Sequence, residues 1–280
     1  MRIWCGCELA VTTFLYHRAP PTVMSVTEDC LELTKNVKER ARRNGFDLVG
    51  VISAEAFDEI PSHFIAHRDY KTWTKKATDY MEDAKSVIIL GARVWDDLYD
   101  LVIRVRDHHE YPDEWRGRLY ARRLVRYLNR EGYKAVLEAE LLSKKRMAEL
   151  AGLGHYGKNS LLINPTYGPW VRYRSIVTDA ELAPDDGACG DLCGECVECV
   201  KACPVGALTP YVVDPDRCLL GMPLEERVSD EYRDVYAEHS PMVTENTWRM
   251  CQACQRACPI GRDLRNQHIG RGSGNVDERV

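Results

Sequence analysis

The stretch CGECVECVKACPVGAL, residues 193–208, decides much of what this sequence can be. Four cysteines follow the spacing C-x2-C-x2-C-x3-C, and a proline comes directly after the fourth. This spacing is typical of bacterial ferredoxins, in which three cysteines bind one iron-sulfur cluster and the fourth binds a second cluster. The sequence therefore predicts a domain built around two 4Fe-4S clusters.

A second run, WRMCQACQRACPIG at 248–261, has three cysteines and also ends in C-x3-C-P. Because the last cysteine of each run is expected to cross over to the other cluster, one ligand is still missing from the second site. The isolated Cys218, between the two runs, supplies it. The predicted ligands are Cys193, Cys196, Cys199 and Cys258 for cluster 1, and Cys203, Cys218, Cys251 and Cys254 for cluster 2.

Other uses of these cysteines fit less well. Paired C-x2-C elements also build structural zinc sites, but those sites rarely need a third cysteine two residues further on. Disulfides fit poorly, because such spacings suit metal sites in a reducing compartment, and we expect a cytoplasmic protein. Cys189 is an alternative ligand, although we expect it to be a free thiol.

The 280 residues have an ordinary globular composition, with 45% hydrophobic and 29% charged residues. The net charge of -5 argues against a general nucleic-acid binder. No apolar run approaches the roughly 20 residues that span a bilayer, so we expect no membrane partner.

Helical and strand patterns alternate up to about residue 180, which predicts an α/β (α+β) layered domain. SVIILGARV, residues 86–94, predicts a strand buried on both faces. Residues 114–132 predict an amphipathic helix with a basic outer face, and the residues expected to face inward are Leu119, Tyr120, Leu124, Tyr127 and Leu128. The predicted organisation is a flexible leader or over-extended start (1–25), the α/β domain (26–184), a ferredoxin-like domain (185–264) and a disordered tail (265–280).

The stretch AGLGHYGKNSLLI, residues 151–163, contains G-x-G-x-x-G. A dinucleotide site needs a strand before this motif and a helix after it, and here the order is reversed. A helix C-cap accounts for Gly152. Three glycines followed by Lys158 and Asn159 favour instead a backbone that lies close to a flat or bulky ligand.

Residues 148–182, taken with the two cysteine runs and the isolated cysteine of DPDRC, resemble the epoxyqueuosine reductase family over roughly residues 28–262. These enzymes are cobalamin-dependent iron-sulfur proteins related distantly to reductive dehalogenases. The resemblance implies a cobalamin-type α/β domain followed by a ferredoxin-like domain with two 4Fe-4S clusters and crossed ligands. The residues that it implies for the cobalamin pocket are Gly152, Gly154, His155, Gly157, Lys158 and Asn159.

The chain also departs from the family pattern. Glu138 stands where the family has its catalytic aspartate, and its longer side chain displaces the carboxyl by about 1 Å. A solvated charge at the end of a strand is the alternative role. Lys144 and Lys145 replace a Glu-Arg pair, Gly221 stands where a tyrosine is expected, and 22 residues follow Cys258.

The expected function is a reductase in which two clusters pass electrons from an external low-potential donor to cobalamin. The reduced cofactor then removes oxygen, or another leaving group, while Glu138 acts as the acid. The resemblance implies tRNA as a partner, but the net charge and the short C-terminal region argue against it. Two alternatives are a ferredoxin-like electron carrier or partner subunit without cobalamin, and a corrinoid reductase acting on a small molecule.

Overall fold

The computed structural model describes most of the chain between Thr27 and Ser273. The described ranges are 27–67, 70–106, 108–137, 141–185, 187, 189–221 and 230–273. The predicted leader (1–25) and the predicted acid Glu138 lie outside these residues.

The secondary structure consists of many short strands and a few longer helices. The strands are β1 (Leu48–Ser53), β2 (Phe64–His67), β3 (Tyr70–Trp73), β4 (Ser86–Arg93), β5 (Leu101–Val105), β6 (His108–Glu110), β7 (Ala135–Leu137), β8 (His155–Tyr156), β9 (Leu162–Ile163), β10 (Val171–Thr178), β11 (Leu208–Thr209), β12 (Val212–Val213), β13 (Met242–Thr244) and β14 (Thr247–Arg249). The helices are α1 (Glu28–Arg43), α2 (Ala54–Asp58), α3 (Pro112–Arg130), α4 (Lys144–Leu150), α5 (Glu198–Lys201), α6 (Arg233–His239), α7 (Ala253–Ala257) and α8 (Arg262–Ser273). A short 3-10 helix covers Asp97–Asp100.

A four-stranded antiparallel sheet forms the centre, in the order β1-β4-β10-β7. The apolar strand β4 lies inside it, and every residue of β4 except Arg93 is buried. Helices α1 and α3 cover one face, and α2 and α4 cover the other. The prediction of a strand buried on both faces is therefore confirmed, within a mixed α/β layered architecture.

The helix ends follow from local chemistry. Thr27 caps α1, and its Oγ1 accepts a hydrogen bond from the Cys30 N–H at 3.3 Å. Proline opens α3 at Pro112, where a missing N–H costs nothing. Along α3, Leu124, Tyr127 and Leu128 are buried as predicted, but Leu119 is 51% exposed, so the prediction that it faces the core is wrong. None of the helices in the described part of the chain is long and apolar enough to cross a membrane.

The cysteine-rich segment shares a sheet with the first part of the chain. Strand β14 pairs with β5 in a second four-stranded sheet, of order β13-β14-β5-β6. Directly after β14, the Met250 N–H donates to the carbonyl oxygen of Asp100 at 2.6 Å. The strand pairing thus crosses the boundary that the sequence places near residue 185.

The segment after Cys258 is helical where the sequence predicts a disordered tail from residue 265. Helix α8 continues to Ser273. Arg265 is 8% exposed, with its guanidinium 4.1 Å from the ring centroid of Trp170, and the ring of His268 lies 5.1 Å from that of Trp95. The polar composition of this segment does not reveal these contacts with distant aromatic residues. The prediction of disorder is therefore wrong for residues 265–273.

Candidate iron-sulfur and cofactor site

The first group of cysteines comes from both runs. Helix α5 carries Cys199 and packs against α7, which brings the end of the second run close to the first. Burial raises the pKa of the Cys258 thiol to about 11, and charge on Cys193, Cys199 and Cys196 raises it as well. The thiols of Cys193, Cys196 and Cys199 therefore lie near enough to Cys258 to interact with it electrostatically.

The second group is assembled in the same crosswise manner. Burial raises the pKa of Cys254 to about 12, and charge on Cys218, Cys251, Cys203 and, least of all, Cys199 adds to the increase. Burial also raises the pKa of Cys251, followed by charge on Cys218 and Cys203. The structure thus places the isolated Cys218 beside the second run and beside the last cysteine of the first run.

Cys189 lies elsewhere. Its Sγ donates to the carbonyl oxygen of Gly152 at 3.2 Å, and its charge acts on the buried phenol of Tyr173. This placement favours Cys218 over Cys189 as the fourth thiol of the second group.

The donor chemistry of both groups fits a cationic iron-sulfur core. All ten cysteines in the described part of the chain are free thiols. Burial and mutual repulsion oppose ionisation of four adjacent thiols, so they can all be thiolates only with a cation among them. Within the described ranges, no three His, Cys, Asp or Glu side chains lie close enough to hold one metal ion. A 4Fe-4S cluster, with several iron atoms between its ligands, accepts a wider spacing than a single ion.

The glycine-rich loop is filled by the protein's own chain. A Cβ at Gly152 would lie 2.6 Å from the Gly187 Cα, and one at Gly154 would lie 2.5 Å from the carbonyl oxygen of Ile163. At Gly157 it would meet the Ile163 side chain at 2.5 Å. The reason that the sequence suggested for the three glycines, close approach to a bulky ligand, is therefore not needed to explain them.

Gly152 ends helix α4 as predicted. Its φ is +68°, its N–H donates to the Glu149 carbonyl oxygen, and the Leu153 N–H donates to that of Ala148 at 2.8 Å. This pair of bonds is the Schellman arrangement, which favours glycine.

The same loop is tied to the first cysteine turn. The Lys158 amine donates to the carbonyl oxygen of Gly194, directly after Cys193. The His155 ring lies 3.5 Å from both Asp191 and Glu149. Asp191 in turn accepts a hydrogen bond from the Cys193 N–H at 2.8 Å. Two of the predicted cofactor residues therefore contact the turn around Cys193.

Two polar atoms in the loop are buried and lack a hydrogen-bond partner among the described residues. Asn159 is 5% exposed, and its Oδ1 accepts from the Leu161 N–H at 3.1 Å. Its Nδ2 and the hydroxyl of Ser160 have no hydrogen-bond partner among the described residues. Ser160 also has a φ of +60°, a strained conformation for a residue with a side chain. These atoms fit the amide-rich periphery of a corrin.

Lys145 is a residue of this site that the sequence did not reveal. Its amine donates to the Ser160 carbonyl oxygen, and burial lowers its pKa to about 8, with a further decrease from Arg172 and Arg146. Charge on Cys218 acts in the opposite direction, which places the amine near the second group. The available signal was helical spacing, because Lys145 lies three residues before the buried Ala148.

We expect Lys145 to make the stability of the protein vary with pH in the alkaline range. Because its pKa is lower in the folded than in the unfolded state, the unfolded chain binds more protons between about pH 8 and pH 10.5. Stability should therefore rise with pH across this range, by about 2–3 kcal/mol in total. Thermal unfolding at several pH values should show a flatter profile for Lys145→Met than for the unchanged protein. Parallel profiles would contradict the burial of this amine.

A family model described as a 4Fe-4S double cluster binding domain matches residues 192–261. An epoxyqueuosine reductase from Synechococcus sp. (strain CC9605) is 31% identical over 262 residues, covering 84% of this chain and 78% of the relative. Another, from Synechococcus sp. (strain RCC307), is 35% identical over 175 residues, which are 61% of this chain but 49% of the relative. The chain therefore spans about half the length of that relative.

Solved structures show the same fold at low identity. An epoxyqueuosine reductase crystallised with a tRNA-Tyr epoxyqueuosine-modified stem loop has a TM-score of 0.60 and 21% identity, covering 82% of this chain and 66% of that one. A reductive dehalogenase, whose structure suggests a mechanism for B12-dependent dehalogenation, has a TM-score of 0.56 and 17% identity, covering 90% of this chain and 36% of that one. Because the CC9605 relative exceeds 30% identity and is covered over most of its length, the chain belongs to the epoxyqueuosine reductase family.

Proposed function

We propose that this protein is an iron-sulfur oxidoreductase with two 4Fe-4S clusters that deliver electrons to a bound cobalamin. The observation that supports the proposal is that thiols from both runs, together with Cys218, lie close enough to raise one another's pKa. In this proposal the ligands of cluster 1 are Cys193, Cys196, Cys199 and Cys258. The ligands of cluster 2 are Cys203, Cys218, Cys251 and Cys254. Each cluster carries one electron, so two clusters support a two-electron reduction.

The cobalamin is proposed to lie against the glycine-rich loop. Asn159 and Ser160 would bind its polar periphery, and Lys158 and His155 would hold the loop against the cluster 1 turn. When bound, the cofactor supplies a reduced cobalt nucleophile. The protein would orient the substrate, and Glu138 is proposed to protonate the departing oxygen.

The substrate class is an epoxide on a modified nucleoside, since a relative of the same fold is described with an epoxyqueuosine-modified tRNA stem loop. We place the protein in the reducing cytoplasm, with an external low-potential electron donor. The overall reaction would consume two electrons and two protons and would release the epoxide oxygen as water.

A second function is favoured by one observation. Ile163 occupies the space at Gly154 and Gly157, so the loop is complete without a ligand. A chain of this kind could transfer electrons to a partner without holding a corrin. We therefore carry an electron-transfer protein as the alternative.

The experiment that separates the two functions is electron paramagnetic resonance of the anaerobically reconstituted protein with added cob(II)alamin. A cobalt spectrum that changes on mixing and disappears on reduction through the clusters is expected for the reductase. An unchanged cobalt spectrum beside normal cluster signals would favour the electron-transfer protein. As a control, Asn159→Leu should weaken the cobalt change and leave the cluster signals unaltered.

A further inference from the structure

Helix α3 has a basic exposed face that the proposed redox chemistry does not use. The helix contains six arginines and two acidic residues, in a chain whose net charge is -5. Four of these arginines are exposed in its last two and a half turns: Arg122, Arg123, Arg126 and Arg130. Positive charge is thus concentrated on one helix of an acidic protein.

The nearby carboxylates neutralise other residues. Glu114 pairs with Arg118 at 3.4 Å, and on the neighbouring helix α1 Glu39 pairs with Arg43 at 3.4 Å. Within the described ranges, none of the four exposed arginines pairs with a carboxylate. Three of them lie four residues apart, where like charges repel and destabilise a helix by a few tenths of a kcal/mol per pair.

Aromatic rings hold two guanidinium groups of this region in place. The Arg123 guanidinium lies 5.3 Å from the ring centroid of Tyr120, and that of Arg40, on α1, lies 4.0 Å from that of Tyr127. A guanidinium stacked on a ring keeps its N–H edges available for bidentate hydrogen bonds to phosphate. The stacking reduces the entropy that binding would otherwise cost.

The same face continues with large apolar side chains. Trp115 is 47% exposed and Leu119 is 51% exposed, on the turns before the arginines. Trp115 also donates from its indole N–H to Glu110 at 2.6 Å, which fixes the ring. Exposed tryptophan next to unpaired arginines is typical of surfaces that bind partners, and RNA is recognised by stacking combined with backbone contacts.

We propose that this α3 face, defined by Trp115, Leu119, Arg122, Arg123, Arg126 and Arg130, docks the sugar-phosphate backbone of RNA. The proposal rests on the proposed function, for which tRNA carries the reacting nucleoside. Helix α3 packs with α1 on one face of the central sheet, whereas α4 and the glycine-rich loop belong to the other. The α3 face would therefore hold the body of the RNA and leave the reacting nucleoside to the redox site.

An acidic protein donor is the competing partner. A donor has to dock close to a cluster. The segment before the first run meets the α4 side of the sheet through the Gly152–Gly187 contact, and Lys145 of α4 lies near the second group, whose later cysteines follow β14. The exposed arginines lie on the opposite side. This arrangement favours RNA.

The test is fluorescence anisotropy of labelled, unmodified tRNA-Tyr with the cluster-loaded protein at several salt concentrations. Replacing the four arginines by glutamine, which has a similar helix propensity, should weaken binding at least about tenfold at about 0.1 M salt. The slope of log K against log salt should become shallower by roughly 2–4, because each lost phosphate contact removes about 0.7–0.9. A four-lysine variant, which keeps the charge, should retain most of the affinity.

The matched control replaces four exposed basic residues outside this face by glutamine: Lys75, Lys76, Lys85 and Arg262. It changes net charge equally and should alter the affinity by less than about twofold. Absence of salt-dependent tRNA binding by the unchanged protein would overturn the proposal, and so would equal losses in the control and the four-glutamine variant. If the four-glutamine variant binds tRNA normally but is reduced more slowly by an acidic ferredoxin, the proposal is also overturned. That result would identify the α3 face as a protein-docking face. Failure of the proposed redox function has a different signature, because the cluster and cobalt spectra are measured without tRNA.

Discussion

Replacing Cys218 by alanine is expected to halve the iron content of the reconstituted protein, from about eight to about four iron atoms per chain. Cys218 lies outside the two runs, and its charge acts on both Cys251 and Cys254. Without its thiolate, the second cluster has three cysteine ligands. We expect that cluster to be lost while cluster 1 remains.

Cys189→Ala is the matched control for this prediction. Cys189 lies near the cysteine runs in sequence, but its thiol bonds the Gly152 carbonyl oxygen and its charge acts on Tyr173. Its removal should leave about eight iron atoms per chain. Iron and acid-labile sulfide analysis of both variants, reconstituted side by side, decides the assignment. Loss of iron in Cys189→Ala, combined with a full iron content in Cys218→Ala, would show that the fourth ligand is wrongly assigned.

Gly168→Ala is expected to destabilise the protein by about 4 kcal/mol or more, a loss that corresponds to a Tm lower by about 10 °C. Gly168 has a φ of +59°, and a Cβ there would lie 1.9 Å from the carbonyl oxygen of Ile260. That oxygen belongs to the backbone and cannot move without displacing the chain beside Cys258. The variant should therefore also lose iron from cluster 1.

Gly132→Ala separates this clash from simple backbone strain. Gly132 also has a positive φ, of +91°, but nothing lies within 4 Å of the position of its Cβ. It should cost about 1–2 kcal/mol, the usual penalty of a left-handed residue with a side chain. Differential scanning calorimetry under anaerobic conditions measures both variants. If the two unfold within a couple of degrees of each other, the close contact between residues 168 and 260 is not formed in solution.

The features that the sequence predicted are those fixed by local chemistry. Cysteine spacing depends on the geometry of a cluster and its turn, so the grouping of Cys218 with Cys254 could be inferred without coordinates. The burial of strand β4 followed from its unbroken apolar run. The end of α4 at Gly152 followed from the preference of the C-cap for glycine.

The features that it missed depend on distant partners. Lys145 looks like one charge of an exposed helix, but its amine donates to the Ser160 carbonyl oxygen fifteen residues later. Leu119 fits an inward helical position, yet it is exposed. Helix α8 forms in a polar segment because Arg265 reaches Trp170. Patterns of hydrophobicity report average burial along an element and do not report such single contacts.

The measurement that tests the central claim most directly is iron, sulfide and zinc analysis, with electron paramagnetic resonance, on one anaerobically reconstituted sample. We predict about eight iron and eight sulfide per chain, little zinc, and signals from two interacting reduced 4Fe-4S clusters after reduction. About four iron per chain, or zinc bound in place of iron, would contradict the assignment of two crosswise clusters and, with it, the proposed two-electron chemistry.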